Sequence, residues 1–311
     1  MTLIVTIGLI AAIVALARLR ARHRAVRTVA KRLSLGPDGI VVGAAPIDLQ
    51  AETGRAVLLL HGFGDTPQTV AYLASYLNTH GWAVRAPLLP GHGSSLEAFA
   101  ASRADDWIDS ARRELATLRT RYTNISIVGQ SMGGSLATIL AAEARDLSAL
   151  VMLAPYISMP TRLRRAAAAH PILGVLTPYL HGGGERSIRD PEEAARNLAY
   201  GFTTPRLIYE LSRIVDLARR AAPIVATPTL VIQSRQDHRI PAEAAERAFA
   251  LFTAPERRLI WTEGNGHIIS VDYGRDAVFS SVVEWLAAHA VVGTPSLTSA
   301  VPQPTPTRSL S

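Results

Sequence analysis

Cysteine is absent from the 311 residues. That excludes a disulfide framework, a thiolate nucleophile and thiolate metal ligands, and it leaves the compartment open on redox grounds. Acidic side chains are absent from residues 1–37, and charge of either sign is absent from residues 1–17, MTLIVTIGLIAAIVALA. The net charge of +7 is therefore local. Arg18, Arg20, Arg22, Arg24, Arg27, Lys31 and Arg32 supply it, and the other 25 basic residues match the 25 acids. A chain neutral beyond its first segment gives little support to a general nucleic-acid surface. No internal repeat is visible. With 48% hydrophobic residues the chain can bury a sizeable core, and its length suits one large α/β domain with an insertion or two small domains.

The uncharged first segment admits three readings. A cleaved signal peptide carries its basic residues before the apolar run, whereas here they follow it. A core helix is apolar on one stripe, and this run is apolar all round. A membrane anchor fits both features. Seventeen helical residues reach about 25 Å, short of a hydrocarbon core of about 30 Å. Arg18 and Arg20 can extend to the headgroups and close that gap. Basic residues after the segment favour keeping that side cytoplasmic. The expectation is a single N-terminal anchor with its basic flank, residues 1–32, and a cytoplasmic main body.

From residue 56 short apolar runs alternate with longer helical ones. Strands are expected at 56–60, 82–89, 124–129, 147–155, 227–234 and 256–263. Helices are expected at 69–80, 105–122, 132–144, 241–252 and 276–289. Such alternation implies right-handed crossovers and a mainly parallel sheet with helices on both faces. Residues 52–156 and 223–290 form this core. Residues 157–222 carry helical patterns without a clear strand and form a helical cap inserted before the acid-bearing strand. Residues 291–311, rich in Pro, Ser and Thr, are expected to be a disordered tail.

The stretch VGQSMGGSL carries the first chemical signal. Ser131 sits between a strand pattern and a helix pattern. A sharp turn there lifts its hydroxyl out of the sheet edge, and Gly129 and Gly133 avoid collision with the neighbouring strand and helix. The turn also aims the Met132 N–H, at a helix N-terminus, towards developing negative charge. A serine hydroxyl is a poor nucleophile without a base. Of nine histidines, His23 lies in the arginine run, His61 and His92 in loops, His80 and His289 at helix ends, and His170 and His181 in the insertion. His238 follows an aspartate. His267 lies in the loop after the last strand, where open parallel sheets assemble their sites, and is the candidate base. Asp237, after the strand 227–234, is the candidate carboxylate that orients it. Asp272 and Asp216 are the other acids weighed, the first close in sequence to His267, the second in the insertion. The loop HGFGDT after the first strand offers the Phe63 N–H as a second oxyanion donor. The order Ser131, Asp237, His267 suits this type of sheet.

Taken together, HGFGDTPQTVAYLASYLNTHGWAVRAPLLPGHGSS, DDWIDSA, GQSMGG, QDHRIP and GHIISVD resemble the α/β-hydrolase superfamily. Within it they are similar to the bacterial monoacylglycerol lipases and the thermostable carboxylesterases, over about residues 52–290. The resemblance implies a Ser131–His267–Asp237 triad, oxyanion donors at Phe63 and Met132, a small cap over an acyl pocket, and no metal or organic cofactor. It implies a carboxylic ester hydrolase acting on monoacylglycerol or similar single-chain lipid esters. Partners would be that substrate and the membrane, with no nucleic acid. A thioesterase or peptidase could use the same triad, and a non-catalytic binding protein could use the same fold. The N-terminal anchor departs from the soluble pattern of the family.

Overall fold

The apolar run RAVLLL forms strand β2 (Arg55–Leu60), and Ala56 to Leu60 are all fully buried. Successive side chains leave a strand on opposite faces, so a strand buried on both sides reads as continuously apolar. Leu58 and Leu60 enter one core cluster, and Val57 and Leu59 enter another. Each such leucine contributes about 1.5–3 kcal/mol by leaving water. A computed structural model describes residues 2–182 and 187–290. The tail expected at 291–311 and part of the HGGGE stretch lie outside the described residues.

The other strands of the main sheet are β1 (Ile47–Leu49), β3 (Ala83–Ala86), β4 (Asn124–Gln130), β5 (Leu150–Leu153), β8 (Thr229–Ser234) and β9 (Arg257–Thr262). They lie in the order β1-β3-β2-β4-β5-β8-β9. All neighbours are parallel except β1, which runs antiparallel to β3 along the edge. The chain places β3 on one side of β2 and then β4 on the other, so the direction of winding reverses there. Loops diverge at such a switch point and leave a crevice at the strand C-termini.

Helices α2 (Ala71–Thr79) and α11 (Arg275–His289) pack in the cluster with Val57 and Leu59. Helices α4 (Ala104–Arg119), α5 (Met132–Glu143), α9 (Pro205–Ala221) and α10 (Ala242–Phe249) pack in the cluster with Leu58 and Leu60. Both faces of the sheet are therefore covered, in the α/β architecture that the alternating pattern predicts. A six-residue helix, α3 (Leu96–Ala101), starts where the Ser95 hydroxyl accepts from the Ala98 N–H at 3.1 Å. The sequence reading did not separate it or β1 from their loops.

Between β5 and β8 come α6 (Thr161–Ala168), α7 (His170–Leu176), β6 (Leu180–His181), α8 (Pro191–Arg196), β7 (Phe202–Thr203) and α9. Two features depart from the helical insertion expected. Strands β6 and β7 pair antiparallel, each too short to leave a periodic signal. Helix α9 belongs to the body: Leu207, Ile214 and Val215 are fully buried in the cluster that holds α4 and α5. Thr204 caps it, its hydroxyl accepting from the Leu207 N–H at 3.0 Å. Its buried Glu210 accepts from the Ala104 N–H at 3.2 Å, at the start of α4, and from Arg213 at 3.0 Å. A carboxylate there meets the positive end of the α4 dipole.

Helix α1 (Thr2–Arg32) is one continuous helix. Its apolar 18-residue window is not buried at all, which excludes the core-helix reading for that half. Helices of this length and apolarity occur as membrane anchors and as signal sequences. The second half docks on the body through buried Ala25 and Val29, and Leu33 follows them into the core. Arg22 faces Glu97 of α3 at 3.7 Å, and Arg32 donates to the Ala199 carbonyl.

Candidate active site

Strand β4 is buried along its whole length and delivers Ser131 at its C-terminal end, with α5 starting at the next residue. The reversal leaves Ser131 at φ 56° and ψ −117°. Such a conformation costs a non-glycine residue about 1–3 kcal/mol and persists only where its surroundings impose it. Here the Ser131 N–H donates to the Leu153 carbonyl at 2.9 Å, and its own carbonyl accepts from Gly134 at 2.9 Å and Tyr156 at 3.0 Å. The glycines allow backbone to touch backbone. A Cβ on Gly129 would lie 2.2 Å from the Gly133 carbonyl oxygen, and one on Gly133 would lie 2.2 Å from that of Leu60. Gly134 is less restricted, 2.9 Å from the Pro155 side chain and 3.2 Å from the Gly129 carbonyl oxygen.

Strands β8 and β9 run parallel in register from Thr229↔Arg257 to Ser234↔Thr262, so the loops after them leave the same end of the sheet. The first carries Asp237 and the second His267. His267 Nε2 lies 2.8 Å from Ser131 Oγ, and its Nδ1 lies 2.8 Å from Asp237 Oδ2. Residues separated by more than 130 positions thus form one continuous hydrogen-bonded line. Asp237 and His267 are 5% and 4% exposed, so neighbours rather than bulk water set their charge. Burial opposes ionisation of Asp237. The charge of His267, its hydrogen bond and the N–H groups of Ile240 and Arg239 outweigh burial and hold the carboxyl below its ordinary pKa. Those N–H groups donate to Oδ1 at 3.0 and 2.7 Å, and Gln233 Nε2 donates to Oδ2 at 2.9 Å. The arrangement keeps a fixed negative charge behind the imidazole. It suits an imidazole that takes a proton from a hydroxyl and returns it.

Met132 is the first residue of α5, where helix geometry leaves the N–H without an intrahelical partner. The loop after β2 comes close to the same point, for a Cβ on Gly62 would lie 3.4 Å from Ser131 Cβ. Phe63 is held in that loop by its ring, which packs on Phe99 and Trp107 at 5.2 and 5.9 Å. His61 braces the loop from below. Its Nε2 accepts from the Leu89 N–H at 3.1 Å, so Nδ1 carries the proton and donates to the Gly62 carbonyl at 2.9 Å. Burial pushes its pKa down to about 4, against the hydrogen bond to Gly62, which keeps the ring neutral.

The two other acids have different partners. Asp216 pairs with Arg164 at 2.7 Å. Asp272 is 1% exposed and accepts four backbone N–H groups. Its Oδ2 takes Gly266 at 2.6 Å and Arg189 at 2.8 Å, and its Oδ1 takes Asp190 and Tyr273, both at 2.9 Å. It therefore ties the residue before His267 to the segment inserted between β5 and β8. The Ile268 N–H reinforces the tie by donating to the Ser187 carbonyl at 2.9 Å. His238 is exposed beside Asp237.

Three further residues escaped the sequence reading. Gln130 Nε2 donates to the His267 carbonyl at 3.0 Å, and the only sequence cue is its place beside the serine. Gln233 supports Asp237 as described. Asp65, 4% exposed in the loop after β2, receives Asn197 Nδ2 at 3.5 Å. Burial pushes its pKa up to about 7, with Asn197, the charge of Arg239 and the Thr66 N–H opposing.

The model of the Hydrolase_4 family, described as serine aminopeptidase, S33, matches residues 51–273. The thermostable monoacylglycerol lipase of Bacillus sp. (strain H-257) is 28% identical over 252 residues, 81% of this chain and 97% of that one. The carboxylesterase of Bacillus subtilis (strain 168) is 28% identical over 234 residues, 75% of this chain and 92% of that one. Among solved structures, one from work on LipS and LipT, two metagenome-derived lipolytic enzymes, aligns with a TM-score of 0.73 at 26% identity, over 82% of this chain and 100% of that one. The monoacylglycerol lipase of Paleococcus ferrophilus shares the fold, with a TM-score of 0.69 at 21% identity over 79% of this chain and 98% of that one. The family match runs from the loop before β2 to the loop after β9, enclosing all the strands of the main sheet except the antiparallel edge strand β1, and on that ground the chain belongs to the Hydrolase_4 family of the α/β-hydrolase fold.

Proposed function

We propose that this hydrolase cleaves carboxylic esters, with monoacylglycerol or a similar single-chain lipid ester as substrate. Ser131 attacks the ester carbonyl while His267 takes its proton, and the Phe63 and Met132 N–H groups hold the oxyanion. His267 returns the proton to the leaving alcohol. It then activates water to release the acid, and Asp237 stabilises the imidazolium at each stage. The observation that carries this reading is the pair of 2.8 Å contacts from the two nitrogens of His267 to Ser131 and Asp237. The lipid preference is supported by the name of the Bacillus sp. (strain H-257) relative, a monoacylglycerol lipase, and by the exposed apolar half of α1; the Bacillus subtilis relative supports ester cleavage alone. In this reading α1 anchors the protein, the body is cytoplasmic, and part of 157–222 caps the acyl pocket.

A fluorophosphonate probe should label wild-type protein at Ser131 and fail to label Ser131→Ala. Turnover of monoacylglycerol should fall about 10⁴- to 10⁶-fold in that variant with unchanged thermal unfolding. The family description favours one rival, a peptidase. Faster cleavage of aminoacyl amides than of long-chain esters would select it. Folded wild-type protein that resists the probe would point instead to a binding role.

A further inference from the structure

Large apolar side chains that face solvent are not spread evenly over this molecule. Among the described residues, nine of them lie between Leu3 and Leu19 of α1, and three more lie on α7. Those three are Ile172, Val175 and Leu176, at 70%, 58% and 63% exposure. Helix α7, HPILGVL, carries no acidic, lysine or arginine side chain, and none of its residues is buried. A contiguous exposed apolar surface on a soluble body marks a contact with a partner or a membrane.

The neighbourhood says which. Arg18, the first charge after the apolar run, donates to the Gly174 and Val175 carbonyls of α7. Helix α7 therefore sits at the level where α1 passes from apolar to basic sequence. A cleft of about 930 Å³ opens beside that same stretch, lined by Arg20, Arg22, Arg24, Arg27 and Lys31 with Leu19. If α1 enters a bilayer, Arg18 and Arg20 lie at the headgroups, the later cations extend about 16 Å further on the same side at 1.5 Å per residue, and α7 lies at the boundary between headgroup and acyl chain. We propose that α7 is a second membrane contact, its Ile172, Val175 and Leu176 side chains immersed in an anionic leaflet that the basic half of α1 grips. The inference rests on the anchor reading of α1. It adds an orientation: the body is held against the leaflet on the α7 side rather than hanging freely from one helix.

The cysteine-free chain permits a direct test. Full-length single-cysteine variants Ile172→Cys, Val175→Cys and Leu176→Cys would each carry an environment-sensitive fluorophore. They would be reconstituted in vesicles of phosphatidylethanolamine and phosphatidylglycerol containing doxyl-labelled lipid. Leu9→Cys reports on the anchor. Glu263→Cys, whose side chain is 74% exposed beyond β9, reports on water. The three α7 positions face solvent, so the label displaces no packing. The expected result is quenching at 172, 175 and 176 several-fold above that at 263. Quenching at Leu9 with none on α7 overturns the proposal and leaves the anchor standing. No quenching at either site overturns both.

Discussion

Backbone contact and burial make single residues decisive around Ser131. A methyl group on Gly133 would press on the Leu60 carbonyl of β2 at 2.2 Å, where neither partner is a movable side-chain end. Gly133→Ala should therefore lose more than about 3 kcal/mol of stability. Gly134→Ala, whose nearest contacts are the Pro155 ring carbon at 2.9 Å and the Gly129 carbonyl oxygen at 3.2 Å, should lose less. Denaturant titration of the two variants tests that order. Asp65 makes a prediction in pH. Its folded pKa, near 7, lies above its unfolded value of about 3.9, so the folded state holds the proton more tightly. The stability this gives is complete below about pH 4, falls as pH rises through 7, and is lost above. Asp65→Asn should match wild type near pH 4 and exceed it near pH 8 by roughly 2–4 kcal/mol. His61 pulls the other way, since its lowered pKa costs stability as pH falls below about 6.5, and it does so equally in both proteins. Thermal melts across pH separate the two slopes.

At the scale of elements, the loops after β2, β4, β8 and β9 have to be aligned to fractions of an ångström, and Asp272 fastens one of them. Asn in its place would turn an amide towards two N–H donors, those of Gly266 and Arg189 if it replaces Oδ2. Asp272→Asn should cost about 1–3 kcal/mol. It should also lower kcat more than it raises KM, because the His267 loop loosens while the binding surface stays. Stopped-assay kinetics and urea melts read the two effects. This residue also marks the limit of what the sequence disclosed. The serine turn was legible because it joins two periodic patterns through small residues. Asp237 and His267 were legible because each follows an apolar strand at the end where such sheets build sites. Asp272, Gln130 and Asp65 act through contacts with segments distant in the chain, and no spacing encodes that. Strands β1, β6 and β7 have three, two and two residues, too few for alternation to appear. The run 147–155 misled in the opposite way. Its apolar composition continues past the hydrogen-bonded ladder, and β5 occupies only Leu150–Leu153. The helical pattern of 205–221 lies within the expected insertion, and no spacing tells that α9 turns Leu207, Ile214 and Val215 into the body core.

For the whole molecule, deletion can separate the anchor proposed for the first half of α1 from the docking of its second half. Removing residues 2–17 takes away no buried side chain, and the remaining protein should fold, label with fluorophosphonate and lose its tight membrane attachment, keeping only the weaker contact proposed for α7. Removing 2–33 also strips Ala25, Val29 and Leu33 from the core and should lower the melting temperature by several degrees. Fractionation and calorimetry on both deletions check this. The strand order has a further consequence, for biosynthesis. The central ladder joins β2 to β4, from Arg55↔Asn124 to Leu60↔Gly129. The ribosome must therefore make the whole of β3, α3 and α4 before the sheet gains its middle pair. Asp237 and His267 emerge later still, with the far edge strand. Under the proposed mechanism, a product interrupted before β9 would carry the Ser131 hydroxyl without the imidazole that is to activate it, so activity waits until nearly the whole chain has been translated.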